Sequence, residues 1–199
     1  LNWAMVSNGY ALDAPTLARL RALGLSSLTI SLDGLRATHD RLRGRKGSFV
    51  RALDAIRLAA QSGLWFFDVV TCVHPANLAE LPELQKLLEQ AGVPAWRLFS
   101  IFPKGRAEKN KDLLLSPEQL RELFRFLADT RAEQPPRPMR AAFSCEGYLP
   151  PTLDSQVRDE PYFCRAGISI ASVLVDGAIA ACPNISRTLA QGNIRHDDF

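Results

Sequence analysis

Cysteine is scarce in this chain. Its 199 residues include four, Cys72, Cys145, Cys164 and Cys182, and no two of them form a Cys-x-x-Cys pair. A secreted disulfide framework would be denser and shorter, so this usage points to a reducing, cytoplasmic compartment. Long apolar runs are missing too. None approaches the roughly 18 residues that cross a membrane, and no secretory leader is recognisable, so no membrane partner is expected. Charge of one sign does not dominate: the formal net charge is +3. Arg19, Arg21, Arg36, Arg41, Arg43 and Arg45 are spread over helix and loop signals rather than gathered in one block. No nucleic-acid surface is expected from them.

What the chain does have is a globular apolar content, 47%, arranged in two alternating kinds of segment. Trp3–Val6, Ser27–Leu32, Trp65–Val73 and Trp96–Phe102 are short and apolar, as expected of strands buried on both faces. Helical patterns lie between them. Asp13 precedes Pro15 and a Leu17, Leu20, Leu23 series. Ser48 opens a stretch with Val50, Leu53 and Ile56. Asn77 opens one with Leu81, Leu84 and Leu88. Ser116-Pro117-Glu118-Gln119 reads as a Ser cap, a first-turn Pro and a capping-box Gln. Gly24, Gly63 and Gly92 fall where helices should end. Four strand–helix units predict a parallel sheet with helices packed on it, either half of an eight-unit barrel or part of an open sheet.

The pattern breaks after about residue 131. Glu133-Gln134-Pro135-Pro136-Arg137-Pro138 reads as a stiff linker, and a poorly patterned stretch runs on to Phe163. Ile168–Val175, Asp176-Gly177 and Ala178–Cys182 then predict a hairpin with an Asp-Gly turn. The opening Leu1–Val6 reads as a strand already under way, and the end at His196–Phe199 carries no cap or polar tail. Both ends read as cut.

Ligands of parallel α/β folds bind at the carboxyl ends of the strands. The segments there are Ser7-Asn8-Gly9, Ser31-Leu32-Asp33-Gly34, His74-Pro75-Ala76-Asn77 and Pro103-Lys104-Gly105-Arg106-Ala107. All are polar or contain Gly, which suits a ligand rim and equally suits plain βα turns.

Taken together these segments resemble the radical S-adenosylmethionine (SAM) enzymes of the SPASM/twitch type. Ser7-Asn8-Gly9 is similar to the Thr-Asn-Gly after that family's third barrel strand. Ile30-Ser31-Leu32-Asp33-Gly34 with His39, Arg43 and Gly47-Ser48-Phe49 resembles its fourth-strand segment, and Pro103–Ala107 the segment after its sixth strand. The resemblance implies that Ser31 and Arg43 hold the methionyl end of SAM. A hydroxyl and a guanidinium can both donate to a carboxylate. Asn8 and Asp33 join them as cofactor-binding candidates. Cys164, twelve residues, Gly177, four residues and Cys182 resemble the opening of the SPASM cluster motif. That implies Cys164 and Cys182 as thiolate ligands of an auxiliary [4Fe–4S] cluster, where four thiolates are usual. Gln191-Gly192-Asn193-Ile194 and Asp198-Phe199 resemble the Gly-Asn-Ile segment after that motif in the same family. Without the resemblance, a disulfide, a zinc site or two unrelated thiols would serve equally. Cys72 reads as a core thiol and Cys145 as a weaker candidate for an extra ligand.

The implied architecture is a partial (β/α) barrel over 1–131, a linker over 132–163 and the start of an iron–sulfur module over 164–199. The implied activity is reductive cleavage of SAM at a catalytic [4Fe–4S] cluster, giving a 5′-deoxyadenosyl radical that abstracts hydrogen from a peptide or protein, with an external electron donor. The family's Cys-x-x-x-Cys-x-x-Cys does not occur in these residues, and is expected upstream. Pro183 stands where sulfatase-maturing members carry an acidic residue, so that activity is not expected. Two rivals remain: a non-catalytic metal or iron–sulfur module, and an ordinary α/β barrel enzyme acting on a phosphate-containing substrate.

Overall fold

The computed structural model describes residues 2–133, 137–144 and 147–197. The expectations placed on Gln134-Pro135-Pro136, Cys145 and Asp198-Phe199 lie outside the described residues. The chain divides into two compact units, 1–161 and 162–199.

The first unit follows the predicted order. β1 (Trp3–Ser7), α1 (Ala14–Ala22), β2 (Leu25–Ser31), α2 (Arg36–Arg43), α3 (Ser48–Ala60), β3 (Phe66–Val73), α4 (Leu81–Gln90), β4 (Ala95–Ser100) and α5 (Pro117–Ala132) succeed one another. β5 (Arg140–Phe143) and α6 (Pro151–Val157) come next. The strands form one sheet in the order β1-β2-β3-β4-β5, every pair parallel. The four expected strands are therefore neighbours in sequence order. The fifth lies inside the stretch read as linker, and α6 lies there as well. Arg-Ala-Ala-Phe is too short and too rich in Ala to announce a strand; it is one because the β4 edge offers it a ladder.

Register explains the core. Leu28, Ile30 and Leu32, then Val69, Thr71 and Val73, then Trp96 and Leu98 point to one side and are fully buried with the helices. The polar members are satisfied: Trp96 Nε1 donates to Thr71 Oγ1 at 2.8 Å, and Thr71 Oγ1 donates to the Leu32 carbonyl at 2.6 Å. The other side differs from the expected apolar one. Thr29 pairs with Asp68 and Val70 with Arg97, which places all four on that side. Thr29 Oγ1 donates to Asp68 Oδ1 at 2.6 Å, and Arg97 donates to Asp68 Oδ2 and, at 3.1 Å, to Thr29 Oγ1.

Helix starts are of two kinds. Asp13 and Ser116 cap their own helices as predicted, Ser116 with the full capping box. α2 and α3 have no side-chain cap of their own. Their first turns are served from elsewhere. Glu80, in the 3₁₀ turn Leu78–Glu80, takes the Leu35 N–H at 2.7 Å and the Thr38 hydroxyl at 2.6 Å. Asp40 takes the N–H groups of Gly47 and Phe49, both at 2.7 Å. Ser48, expected to open this helical stretch, is the first residue of α3 and bonds to His39.

The second unit holds a three-stranded antiparallel sheet of β6 (Ser172–Val173), β7 (Ala178–Ala180) and β8 (Gly192–Asn193), in that order. The hairpin is at the expected place, but the turn differs. Gly177 N–H donates to the Leu174 carbonyl at 2.8 Å and Leu174 N–H to the Ala178 carbonyl at 2.9 Å. Asp176 does not have positive φ, whereas Gly177 has φ +85°. This is a three-residue loop closed by a glycine bulge, not a two-residue Asp-Gly turn. A Cβ on Gly177 would also stand 2.7 Å from Asn193 Oδ1.

Because Glu80 is the cap that α2 lacks, Glu80→Ala is expected to cost about 1–2 kcal/mol of stability in urea unfolding. An unchanged midpoint would show that water serves both donors as well.

Candidate functional site

The carboxyl ends of β1 to β4 surround a cavity of about 1050 Å³. Each strand contributes: Asn8 and Tyr10 after β1, Asp33 and Arg43 after β2, Cys72 and His74 at the end of β3, Phe102 and Lys104 after β4. The structure thus brings Asn8, Asp33 and Arg43 together. Ser31 ends β2, half-buried, on the sheet side that carries Thr29, and is not part of the cavity wall.

Local folding places each group. Asn8 Oδ1 accepts the Tyr10 N–H at 3.0 Å, which turns the chain after β1. Gly9, φ +70°, passes close against α3, where a Cβ would stand 3.0 Å from that of Ala55. Asp33 is 1% exposed, and every polar atom it has is engaged. Its N–H donates to His39 Nδ1 at 3.0 Å, and its carbonyl accepts from Asn77 Nδ2 at 2.9 Å. Its carboxylate accepts the Cys72 N–H at 2.9 Å on Oδ1 and the Arg43 guanidinium on Oδ2. The Arg43 side chain remains 33% exposed. Each Asp33 oxygen thus already holds one donor, whereas Arg43 is oriented by it and keeps free N–H directions, since a guanidinium has five donors.

His39 backs this arrangement. Accepting at Nδ1, it carries its proton on Nε2, 3.1 Å from Ser48 Oγ. Burial pushes its pKa below the ordinary histidine value, with Asp33 opposing and Arg43 adding to the shift. Arg45 lies over the Tyr10 ring, 3.8 Å from its centroid, linking the loops after β1 and α2. Sequence reasoning misses Tyr10, Arg41 and Arg45 as site residues. The two arginines read only as surface charge, and nothing but their position behind a strand end could mark them.

In the second unit Cys164 is exposed and Cys182 half-buried. Asn184 N–H points at Cys182 Sγ at 3.4 Å. Among the described residues no group of three or more His, Cys, Asp or Glu is placed to hold a metal ion. The described cysteines of this unit number two, half of the four thiolate ligands that a cubane cluster usually takes. Cys72 sits at a strand end on the cavity wall rather than in the core.

The Asp40 latch on the loop between α2 and α3 gives a pH prediction. Its hydrogen bonds from Phe49 N–H and Gly47 N–H hold its carboxyl below the usual carboxylate range. A lowered folded pKa contributes stability above the unfolded value of about 3.9, and that contribution is lost as pH falls through the folded value. Asp40→Asn is expected to flatten the acid limb of the urea midpoint below about pH 4. An identical acid limb would place the loop under other control.

The profile of the Radical SAM superfamily matches residues 1–88. The AdoMet-dependent heme synthase of Oleidesulfovibrio alaskensis is 28% identical over 212 residues, covering 100% of this chain and 54% of that protein. The sporulation killing factor maturation protein SkfB of Bacillus subtilis is 30% identical over 106 residues, 53% of this chain and 26% of SkfB. The fold is shared with Streptococcus suis SuiB bound to S-adenosylmethionine, TM-score 0.65 at 14% identity, over 95% of this chain and 45% of SuiB. The chain spans about half the length of the heme synthase it matches from end to end. Profile and relatives thus point to the radical SAM superfamily, whose profile covers residues 1–88 of this chain, and the fold is one that its members share.

Proposed function

We propose that the intact protein is a radical SAM enzyme and that the cavity at the strand ends binds SAM. The observation that carries this reading is the Arg43 guanidinium, held on the cavity wall by a buried carboxylate and still one-third exposed. SAM ends in a carboxylate, which a pre-oriented guanidinium binds well. Ser31, at the end of β2 just off the cavity wall, is read as a further hydroxyl toward SAM, and Asn8 gives a polar edge from the end of β1. Asp33 acts as a positioning residue, because each of its oxygens already holds a donor. The cavity lies at the upper end of the usual range for a small-ligand site, roughly 300–1,000 Å³, which suits a molecule the size of SAM. When bound, the catalytic [4Fe–4S] cluster would supply the electron for reductive cleavage of SAM, drawn from an external donor. This chain's residues bind and orient the SAM that is cleaved.

Residues 164–199 are read as the start of a SPASM-like module after the α/β region. Cys164 and Cys182 would each give a thiolate to an auxiliary [4Fe–4S] cluster. The N–H of Asn184 aimed at Cys182 Sγ supports this, since such hydrogen bonds stabilise thiolate charge and tune clusters.

The substrate is read as a peptide or protein. SkfB and the subtilosin biosynthesis protein AlbA, both similar to this chain, are named for peptide products, and SuiB is known bound to its precursor peptide SuiA. A tetrapyrrole is the second reading. It is favoured by the heme synthase matched along the whole chain and by an Fe-coproporphyrin III synthase matched over 97% of it. Arg41 and Arg45 on the cavity wall would suit its carboxylates. Titration with iron coproporphyrin III separates the two: a saturable micromolar shift of its Soret band favours the tetrapyrrole, and none favours the peptide.

Ser31→Ala and Arg43→Ala are each expected to weaken SAM binding about tenfold to a hundredfold, for loss of a hydrogen bond to a charged group. Unchanged affinity in both would sink the reading. Replacing Cys164 and Cys182 together by Ala is expected to remove about four iron atoms per protein after anaerobic reconstitution. Equal iron in wild type and variant would take both residues out of the cluster.

A further inference from the structure

His74 stands on the cavity wall just past β3, and the contacts assigned so far to SAM leave its ring without a task. The residue is 3% exposed. Its backbone is clamped: its N–H donates to Asn77 Oδ1 at 2.8 Å, while Asn77 Nδ2 donates to the carbonyls of Asp33 at 2.9 Å and Cys72 at 3.0 Å. Ring Nδ1 accepts the Ala76 N–H at 3.3 Å. In the neutral ring the proton is therefore on Nε2. Burial favours that neutral ring, with Arg41 acting in the same sense and Asp33 and Glu80 against it.

Nε2 itself is enclosed and has no hydrogen-bond partner among the described residues. The contrast with His39 is direct. Both imidazoles are buried and both accept a backbone N–H at Nδ1, yet only His39 has a partner for Nε2, the Ser48 hydroxyl. A buried donor without an acceptor is destabilising, and native folds rarely keep one without a use. His74 is thus a donor, fixed in tautomer and anchored in backbone, in the wall of the cavity.

We propose that His74 is a further ligand-binding residue of this cavity, giving its Nε2–H to a neutral acceptor on the adenosine part of SAM. The inference rests on the cavity being the SAM site. The division of labour comes from charge. The cationic guanidinium of Arg43 matches the carboxylate, and a neutral N–H matches a ribose oxygen or an adenine ring nitrogen. Arg43 and His74 line the same cavity, so both donors are available to one molecule. A ligand atom packed against the ring edge supplies the acceptor that the protein does not.

The test uses the intact protein and two uncleavable probes, S-adenosylhomocysteine, which has both ends of SAM, and 5′-methylthioadenosine, which lacks the amino-acid end. Calorimetry should show His74→Phe weakening both probes about tenfold, with His74→Asn, which keeps an N–H donor, recovering part of the loss. Arg43→Ala should weaken S-adenosylhomocysteine and leave 5′-methylthioadenosine unaffected. The wild-type protein gives a second measurement that needs no variant: the His74 Nε2 resonance in long-range ¹H–¹⁵N spectra should report a protonated nitrogen and move on saturation with either probe. If Arg43→Ala weakens S-adenosylhomocysteine while His74→Phe binds both probes like wild type and Nε2 does not move, the cavity holds SAM without His74 and the inference is overturned. If neither variant changes binding of S-adenosylhomocysteine, the SAM reading itself fails, and this inference with it.

Discussion

The Asp33 carboxylate, shut away from water at the end of β2, ties the site together. A buried carboxylate is strongly unfavourable unless donors surround it. Here two donors meet it: Cys72 N–H from the end of β3 and the guanidinium of Arg43, the last residue of α2. The main chain of the same residue adds two contacts, its N–H donating to His39 in the middle of α2 and its carbonyl accepting from Asn77 in the turn after β3. Together these bonds fix the ends of β2 and β3 and two turns relative to one another. Arg43 meets the cavity in a set orientation because the carboxylate behind it holds its guanidinium.

The same economy of long-range polar contacts appears at the helix starts. α2 and α3 begin without caps of their own, and Glu80 and Asp40 supply them from outside each helix. A self-contained helix such as α5 can form its first turn from local sequence. The first turn of α2 takes its cap from the turn after β3, whereas the loop behind α2 is latched by Asp40 of α2 itself. The Glu80 cap thereby couples one βα unit of the ligand rim to the next.

This coupling also sets what can be read from sequence. Features written locally are legible: the Asp13 cap, the Ser116 capping box, glycines at three helix ends, and four strands that read as mostly apolar. Features that depend on a partner far along the chain are not. β5 is a strand only by virtue of β4. Asp68 and Arg97 sit inside segments that read as apolar strands, and become compatible with burial only when register brings them together beside Thr29. Asp33 is legible as a polar residue behind a strand end, but its partners are not, since one of them is the Cys72 N–H, 39 residues away. His74 lies in a segment marked by its place after a strand. Its missing Nε2 partner is a property of three-dimensional enclosure, which no spacing encodes.

The second unit poses a different stability problem. Among its described residues Ala180 is the one apolar side chain that is buried, while Phe163, Ile168, Ile170, Val173, Val175, Leu189 and Ile194 are exposed. Burial on that scale cannot offset the entropy of ordering nearly forty residues. What holds the hairpin in place here is polar: the Gly177 bulge, the Asn193 amide on the Asp176 carbonyl at 3.1 Å, and Asp197 on the Asn193 N–H at 2.7 Å. Small loop-rich modules with so little core are ordinarily stapled by disulfides or metal. Cys182 comes two residues after β7, with an N–H directed at its sulfur, and Cys164 stands exposed before the first bridge of the unit. An arrangement poor in apolar burial and furnished with accessible sulfur is what a cluster-stapled module requires, and the weak core of residues 162–199 is itself an argument for the thiolates being ligands.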